Sequence, residues 1–255
     1  MSLQKYIDTK DIITIRKGKV IYREDDSVVK LHDNSYTKAN VINEALNHAR
    51  AEESGLAIPE LLEIVNYDGL WGIRTEYIEG KTLNEKMLED PENLDEYLDR
   101  LIAIQTNVLE KDSDVLNDLH SKFRDRINKT SYSATVRYEL SARLSRMTYD
   151  NKICHGDLIP SNIILHPSGV DYILDWSHAT RGNAEADAAT TYLHLVLRGD
   201  TELAEKYLHR YCAKTDTAIQ EVQAWTSLVA AVQSLNKIPG EEAMLERWVS
   251  VVEYE

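Results

Sequence analysis

Residues 153–165 read Ile-Cys-His-Gly-Asp-Leu-Ile-Pro-Ser-Asn-Ile-Ile-Leu, and residues 172–176 read Tyr-Ile-Leu-Asp-Trp. Two carboxylates, Asp157 and Asp175, and one carboxamide, Asn162, stand beside short runs rich in Ile and Leu. The runs on either side of residues 166–169 predict a β-hairpin, which returns Asp175 beside Asn162. Because hard cations prefer oxygen ligands, the three side chains suit the holding of Mg²⁺ against a nucleotide triphosphate.

The spacing His155-x-Asp157-x4-Asn162 matches a kinase catalytic loop, in which the Asp accepts the proton of the substrate hydroxyl and the Asn binds metal. Together with Leu174-Asp175-Trp176, it resembles the aminoglycoside phosphotransferase and choline-kinase-like small-molecule kinases, which are relatives of the protein kinases. The resemblance covers residues 11–200 and implies an α+β, protein-kinase-like fold with two lobes. It also implies ATP and Mg²⁺ as cofactors, Asp157 as the catalytic base, and Asn162 and Asp175 as metal ligands.

The first third of the chain has a β-rich pattern with one helix. Three β-branched runs and one hairpin around Asp68-Gly69 predict antiparallel strands, at residues 13–15, 20–22, 28–31, 61–65 and 71–77. Residues 37–53 have helical spacing. One stripe of that helix carries Ile42, Ala45, Leu46 and Ala49, and Glu44 borders the stripe.

Lys30 lies inside the third predicted strand, between Val29 and Leu31. An ammonium group is expected there only if it has a partner or a phosphate to meet. By the resemblance, Lys30 contacts the nucleotide phosphates and pairs with Glu44 of the helix. From the residues alone, a surface lysine on an edge strand and a solvated glutamate stay open as alternatives.

The stretch Glu76-Tyr77-Ile78-Glu79-Gly80 resembles the hinge of the same family. The resemblance implies that the main chain of Glu76 and Ile78 contacts adenine, with Thr75 at the back of the pocket. On sequence grounds alone, the stretch is a strand end followed by a glycine turn.

After Gly80 the pattern becomes helical. Amphipathic helices are predicted at residues 93–109, 115–127, 135–147, 185–197, 202–211, 219–235 and 241–252. We therefore expect two domains, a nucleotide-binding lobe over residues 1–79 and a helical lobe with the catalytic loop over residues 80–255. By the resemblance, Asp187 braces the catalytic loop from the helix that follows it. From the residues alone, an Asp in the first turn of a helix, favoured there by the helix dipole, stays open as an alternative. His155 supports the same loop by hydrogen bonding.

Four features depart from the family's pattern, among them Trp176-Ser177 after Asp175 instead of Phe-Gly and Asn183-Ala184 without the usual proline. The other two bear on the phosphates. The turn Arg16-Lys17-Gly18-Lys19 has one glycine instead of a glycine-rich loop, so Lys17 or Lys19 is expected to compensate at the phosphates. Ile159 stands where many protein kinases carry a lysine that meets the transferred phosphate. This departure favours a small-molecule substrate and leaves the cation of the transition state unidentified.

Composition limits the partners. The net charge of -14 argues against a nucleic-acid partner, which would need clustered Lys and Arg. A positively charged small-molecule hydroxyl acceptor would be favoured electrostatically. No apolar run approaches the roughly 20 residues that span a bilayer, so we expect no membrane partner. The first residues lack the apolar core of a signal peptide, which predicts a cytoplasmic protein.

Two other functions are compatible with the motif. A metal-dependent hydrolase would use His155, Asp157, His166, Asp175 and His178, which are potential ligands within a short stretch. A catalytically silent nucleotide-binding protein, or pseudokinase, would usually lack one of Lys30, Asp157, Asn162 or Asp175. All four are present here.

Overall fold

The computed structural model describes residues 3–250. Within that range the chain forms two compact units. The first unit runs to Glu85 and also contains Ser161–His178, and the second unit contains Lys86–Pro160 and the chain from Ala179 onward. The predicted domains, a nucleotide-binding lobe over residues 1–79 and a helical lobe over residues 80–255, stay predictions.

The secondary structure of the described range consists of short strands and of helices up to four turns long. The strands are β1 (Asp11–Arg16), β2 (Lys19–Glu24), β3 (Ser27–His32), β4 (Leu61–Tyr67), β5 (Leu70–Glu76), β6 (Lys81–Thr82), β7 (Lys152–Cys154), β8 (Ile163–Leu165), β9 (Asp171–Ile173) and β10 (Thr180–Gly182). The α-helices are α1 (Gln4–Ile7), α2 (Lys38–Glu52), α3 (Leu83–Glu89), α4 (Leu94–Leu109), α5 (Leu119–Lys129), α6 (Ala134–Leu144), α7 (Ala184–Leu197), α8 (Thr201–Thr215), α9 (Ile219–Gln233) and α10 (Glu242–Ser250).

A five-stranded antiparallel sheet in the order β1-β2-β3-β5-β4 forms the first unit's framework. The predicted strands and the hairpin are confirmed. Asp68 and Gly69 have φ angles of 52° and 83°, as the two central residues of a type I′ turn require. Gly72 is required in β5 because an added Cβ would lie 2.5 Å from the Lys30 carbonyl oxygen. Strand β5 can therefore pass close to β3 at this position.

Helix α2 packs against this sheet, and its N-terminus is closed by a capping box. Asn40 N–H donates to Thr37 Oγ1 at 3.2 Å, and Thr37 N–H donates to Asn40 Oδ1 at 2.9 Å. The predicted helix is confirmed.

The predicted apolar stripe of α2 is correct for Ala45, which is buried, and wrong for Ile42 and Leu46. Ile42 and Leu46 are 40% and 44% exposed, whereas Glu44 and His48 are buried. The reason is polar pairing: the His48 ring nitrogen Nε2 is 2.7 Å from the Pro59 carbonyl oxygen, and Glu44 has a cationic partner described below. Buried polar residues with partners occupy the face that apolar periodicity assigned to Ile42 and Leu46.

The hairpin of β8 and β9 also belongs to the first unit, where β6 joins it in a three-stranded sheet. Gly80 makes this pairing possible. Its φ is +139°, and an added Cβ would lie 2.4 Å from the Leu165 carbonyl oxygen. The chain leaving β5 is thus held against the strand that follows Asn162.

The second unit is mainly helical, as predicted, with β7 and β10 paired antiparallel. Its core includes large fully buried side chains from four helices, namely Leu101, Ile127, Leu140 and Tyr207. Helix α5 begins at Leu119 instead of the predicted Val115, because the Asp118 carboxylate accepts from Ser121 N–H at 2.7 Å and caps it there. The predicted end of the last helix at Val252 lies outside the described residues.

Five elements were not predicted, namely α1, α3, β6, β7 and β10. Helix α8 was predicted to end at residue 211 and continues to Thr215. The unpredicted strands have only two or three residues, too few for alternation to be read from sequence. None of the helices in residues 3–250 combines the length and apolar character needed to cross a bilayer.

Candidate active site

The catalytic-loop hairpin brings Asn162 and Asp175 together in the first unit. Ile163 pairs with Ile173 across β8 and β9, and Leu174 N–H donates to the Asn162 carbonyl oxygen at 2.8 Å. Both side chains line one cavity. The predicted return of Asp175 beside Asn162 is therefore confirmed. Asp175 has a φ of 61°, a left-handed conformation that Asp tolerates better than most residues.

A buried ion-pair cluster lies at this cavity. Lys30 Nζ is 2.6 Å from Glu44 Oε1 and 2.9 Å from Asp175 Oδ1, and Lys30 is only 8% exposed. Strand β3 lies inside the sheet, between β2 and β5. The edge-strand and solvated-glutamate alternatives are therefore wrong, and the predicted pair between Lys30 and Glu44 is present.

The cluster's charges hold one another in the ionised state. Burial alone would raise the pKa of Glu44, but the Lys30 ammonium and then the His32 ring, 3.5 Å away, lower it to about 2. Burial would likewise raise the pKa of Asp175, yet Lys30 and then Lys19 pull it well below its usual value. Burial would lower the pKa of Lys30, and the two carboxylates raise it instead. The site therefore keeps one ammonium between two carboxylates at neutral pH.

The cavity has a volume of about 450 Å³, within the common range for small-molecule pockets. Lys30, Glu44 and Asp175 stand among its lining residues together with Asn162. The rest of its wall is largely aliphatic, from residues that include Ile21, Val28, Ile73, Ile164 and Leu174. One cavity therefore joins an apolar wall to the cluster of charges.

The residues predicted for the hinge line this same cavity, namely Thr75, Glu76 and Ile78. Thr75 and Glu76 are the last two residues of strand β5. The β8–β9 hairpin, far from them in sequence, also contributes to the wall of the cavity. All of the residues predicted to bind the nucleotide or the metal thus share one cavity of the first unit. Their roles stay predictions.

The two lysines expected to compensate for missing glycines have different surroundings: Lys17 lies in the turn between β1 and β2, and Lys19 is the first residue of β2. Lys17 is exposed, whereas Lys19 Nζ is 3.7 Å from Asp175 Oδ2. Burial and then the Lys30 charge lower the pKa of Lys19. Of the two candidates, Lys19 is the one directed at the site.

In the second unit, Asp157 lies on a loop held by its neighbours. Asp157 N–H donates to His155 Nδ1 at 3.1 Å, and His155 is fully buried. Gly156 N–H donates to Asp187 Oδ1 at 2.7 Å. The predicted supports from His155 and Asp187 are confirmed. Burial raises the pKa of Asp187, which Gln105 Nε2 also contacts at 3.1 Å.

Sequence reasoning missed His194. Its Nδ1 lies 2.8 Å from Asp157 Oδ1, and its side chain is 17% exposed. Asp187 and His194 lie on the same side of α7 because about two helical turns separate them. That spacing was the available signal: a histidine two turns after the residue that braces the loop.

Asp157 belongs to the second unit, whereas the other predicted site residues belong to the first. The predicted convergence of Asp157 with Asn162 and Asp175 stays a prediction. Among residues 3–250, no three His, Cys, Asp or Glu side chains are grouped as a metal-binding cluster.

The sequence profile of the phosphotransferase enzyme family matches residues 17–225. None of the curated proteins matches the chain in sequence.

Solved structures similar to this chain include three kinases. A thermostable mutant of aminoglycoside phosphotransferase APH(4)-Ia, in a ternary complex with AMP-PNP and hygromycin B, has a TM-score of 0.70 at 13% identity, covering 99% of this chain and 98% of that chain. Choline kinase LicA from Streptococcus pneumoniae has a TM-score of 0.62 at 18% identity, with coverages of 99% and 98%. Aminoglycoside-3'-phosphotransferase of type VIII has a TM-score of 0.61 at 17% identity, with coverages of 84% and 88%. These similarities confirm the predicted α+β, protein-kinase-like fold.

Proposed function

The chain belongs to the phosphotransferase enzyme family, a family of small-molecule kinases, and on that premise we propose that it transfers the γ-phosphate of ATP to a hydroxyl group of a small molecule. The observation that carries the proposal is the buried cluster of Lys30, Glu44 and Asp175 at a cavity that the residues of the hinge also line. This combination provides fixed charge for the phosphates and apolar surface for the adenine in one pocket.

In the proposed complex, the adenine lies against the main chain of Glu76 and Ile78, with Thr75 behind it. Lys30 binds the phosphates, and Glu44 keeps its ammonium in place through the 2.6 Å contact. Lys19 adds a second positive charge near Asp175. Support comes from the APH(4)-Ia mutant, which binds AMP-PNP in a structure of the same fold.

The donor set at the cavity suits Mg²⁺. Asn162 and Asp175 present amide and carboxylate oxygens, which are the ligands that Mg²⁺ prefers. Ser177 Oγ donates to Asp175 Oδ1 at 2.8 Å and helps to fix the carboxylate. When bound, the metal would neutralise charge on the transferring phosphoryl group. We therefore assign Asn162 and Asp175 as its ligands.

Asp157 is proposed as the catalytic base. The acceptor oxygen bonds to the γ-phosphorus as the bond from the γ-phosphorus to the bridging oxygen breaks, ADP leaves, and the hydroxyl proton passes to the Asp157 carboxylate. His155, Asp187 and the Gly156 N–H hold the loop that carries this carboxylate. A base in this position typically contributes about 10²- to 10⁴-fold to the rate.

The acceptor is a small molecule with a hydroxyl group. The net charge of -14 favours a positively charged one. The APH(4)-Ia mutant binds hygromycin B, and LicA is a choline kinase. Aminoglycosides and amino alcohols are therefore the first classes to test.

The test is an ADP-release screen over aminoglycosides, choline, ethanolamine, methylthioribose, homoserine and simple sugars. Asp157→Asn should lower turnover by at least about 100-fold with the best acceptor. The exposed residue Asp150 provides the matched control, because Asp150→Asn makes the same chemical change elsewhere in the second unit. Equal activity in Asp157→Asn and the wild type would reject Asp157 as the base. Tight ATP binding without turnover on any acceptor would favour the pseudokinase instead.

The metal assignment has a separate test. Asp175→Asn should weaken the Mg²⁺ dependence of ATP binding in calorimetry, while ATP binding in EDTA changes less. If the two titrations change by the same factor, the carboxylate contributes to the nucleotide site through Lys30 instead of through the metal.

A further inference from the structure

A line of hydrogen-bonded side chains leads from Asp157 to the C-terminal helices of the second unit. His194 of α7 contacts Asp157 Oδ1 through Nδ1 at 2.8 Å. Gln233, the last residue of α9, hydrogen-bonds the His194 side chain. Gln233 Nε2 in turn donates to Glu241 Oε2 at 3.0 Å, just before α10 begins. Four side chains from different segments therefore form one continuous chain.

The directions of these hydrogen bonds are mutually consistent. The carboxylates of Asp157 and Glu241 accept hydrogen bonds when ionised. The Gln233 amide nitrogen donates to Glu241 at 3.0 Å, and the Gln233 amide oxygen accepts from Asn236 Nδ2 at 2.9 Å. His194 Nδ1 donates to the Asp157 carboxylate when that carboxylate is ionised.

The charges around the ring favour its protonated form, the imidazolium. Burial alone would lower the pKa of His194, but the hydrogen bond to Asp157 and the charge of that carboxylate raise it. The hydrogen bond to Gln233 and the charge of Glu241 act in the same direction. The groups that face the ring are thus two carboxylates and an amide, and Asp187 lies next to Asp157 on the loop side.

We propose that His194 is a positioning residue for phosphotransfer, holding the Asp157 carboxylate as an imidazolium and linking its orientation to the C-terminal helices through Gln233 and Glu241. The inference rests on the proposed function in one respect, that Asp157 is the base. It gives a role to Gln233 and Glu241, which lie in a part of the chain where the sequence carries no readable motif. Through such a hydrogen bond, a residue that does not touch the substrate orients a group that does.

The linkage can be measured without any catalysis. NMR titration of the His194 ring should give a pKa above 6.5 in the wild type, the ordinary value from which it is raised. Asp157→Asn and Glu241→Gln should each lower that pKa. The neighbouring Glu242→Gln provides the matched control and should leave it unchanged. An unchanged His194 titration in Asp157→Asn would overturn the inference, whatever the turnover.

The catalytic consequence is tested with two substitutions of His194. His194→Leu should lower kcat by about 10- to 100-fold with little change in the KM for ATP. His194→Asn, which retains an N–H donor near the position of Nδ1, should recover most of that loss. Turnover in the wild type should fall as the pH rises through the pKa measured by NMR, and His194→Asn should lose that limb.

The outcomes separate the two claims. If the wild type transfers phosphate but His194→Leu, shown to be folded by its urea midpoint, keeps the wild-type kcat, the positioning role is wrong. The same holds if the alkaline limb persists unchanged in His194→Asn. If Asp157→Asn keeps full turnover, the proposed base is wrong, and the positioning role falls with it even where the NMR linkage is present.

Discussion

Replacement of Lys30 by methionine removes the ammonium that contacts both Glu44 and Asp175. Methionine keeps most of the length and apolar stem of the side chain, so the change is mainly one of charge. The carboxylates of Glu44 and Asp175 then lose the ammonium between them, while Lys19 Nζ stays 3.7 Å from Asp175 and His32 Nε2 stays 3.5 Å from Glu44. We expect Lys30→Met to destabilise the first unit.

The scale of the effect follows from the pKa of Glu44, which the folded protein lowers from 4.5 to about 2, with Lys30 as the largest lowering cause and His32 as the next. A difference of this size corresponds to about 3 kcal/mol of stability at neutral pH. Because the folded pKa is the lower one, this stability is fully present above pH 4.5 and is lost as the pH falls through about 2. Breaking a buried ion pair typically costs about 3–5 kcal/mol, in agreement with this value.

The assay is urea unfolding followed by tryptophan fluorescence at pH 7 and pH 4. At pH 7, a loss of about 3 kcal/mol lowers the urea midpoint by about 1–1.5 M, for a slope of about 2–3 kcal/mol per M. At pH 4 the difference from the wild type should narrow, because Glu44 protonates in the variant and its repulsion with Asp175 disappears. Lys5→Met is the matched control, since Lys5 pairs with Asp68 on the surface at 2.8 Å and its side chain is 68% exposed.

Two results would refute this reasoning. Equal midpoints for Lys30→Met and Lys5→Met at pH 7 would mean that the cluster contributes no more than a surface ion pair. A difference between Lys30→Met and the wild type that stays constant between pH 7 and pH 4 would mean that the loss comes from packing and not from charge.

Two further predictions concern the walls of the cavity. Gly72→Ala should lower the urea midpoint strongly, because its Cβ would lie 2.5 Å from the Lys30 carbonyl oxygen and β3 and β5 would have to separate; a midpoint equal to that of the wild type would show that the sheet relaxes freely. Thr75→Met should fill the cavity from β5 and weaken ATP binding by at least about tenfold in calorimetry while the urea midpoint stays near that of the wild type; unchanged ATP affinity would place the nucleotide elsewhere.

The local motifs of this chain were readable from sequence for a physical reason. The catalytic loop, the β8–β9 hairpin and the strands around Lys30 depend on spacing and turn chemistry over a few residues, which a sequence displays directly. The resemblance carried by His155, Asp157 and Asn162 then supplied the expected partner of Lys30 and the brace at Asp187. The structure contains both contacts at 2.6 Å and 2.7 Å.

Apolar periodicity failed on α2 because burial there follows electrostatic partners. Glu44 and His48 occupy the packed face since each has a polar partner, and Ile42 and Leu46 remain exposed. A hydrophobic pattern considers each residue by itself. It therefore cannot predict the burial of a helix carboxylate that a lysine of a distant strand stabilises.

The sequence by itself determined which chemical groups the chain possesses and the local elements that carry them: the Asp and Asn residues of the loop, the hairpin behind them and the lysine in the third strand. Only the tertiary structure decided which groups meet. Lys30 and Asp175 are 145 positions apart and yet lie 2.9 Å from each other, and Lys19 rather than Lys17 is directed at the site. His194 reaches Asp157 because α7 packs beside the loop. Contacts of this kind depend on packing between distant segments, and packing is set by the whole chain at once.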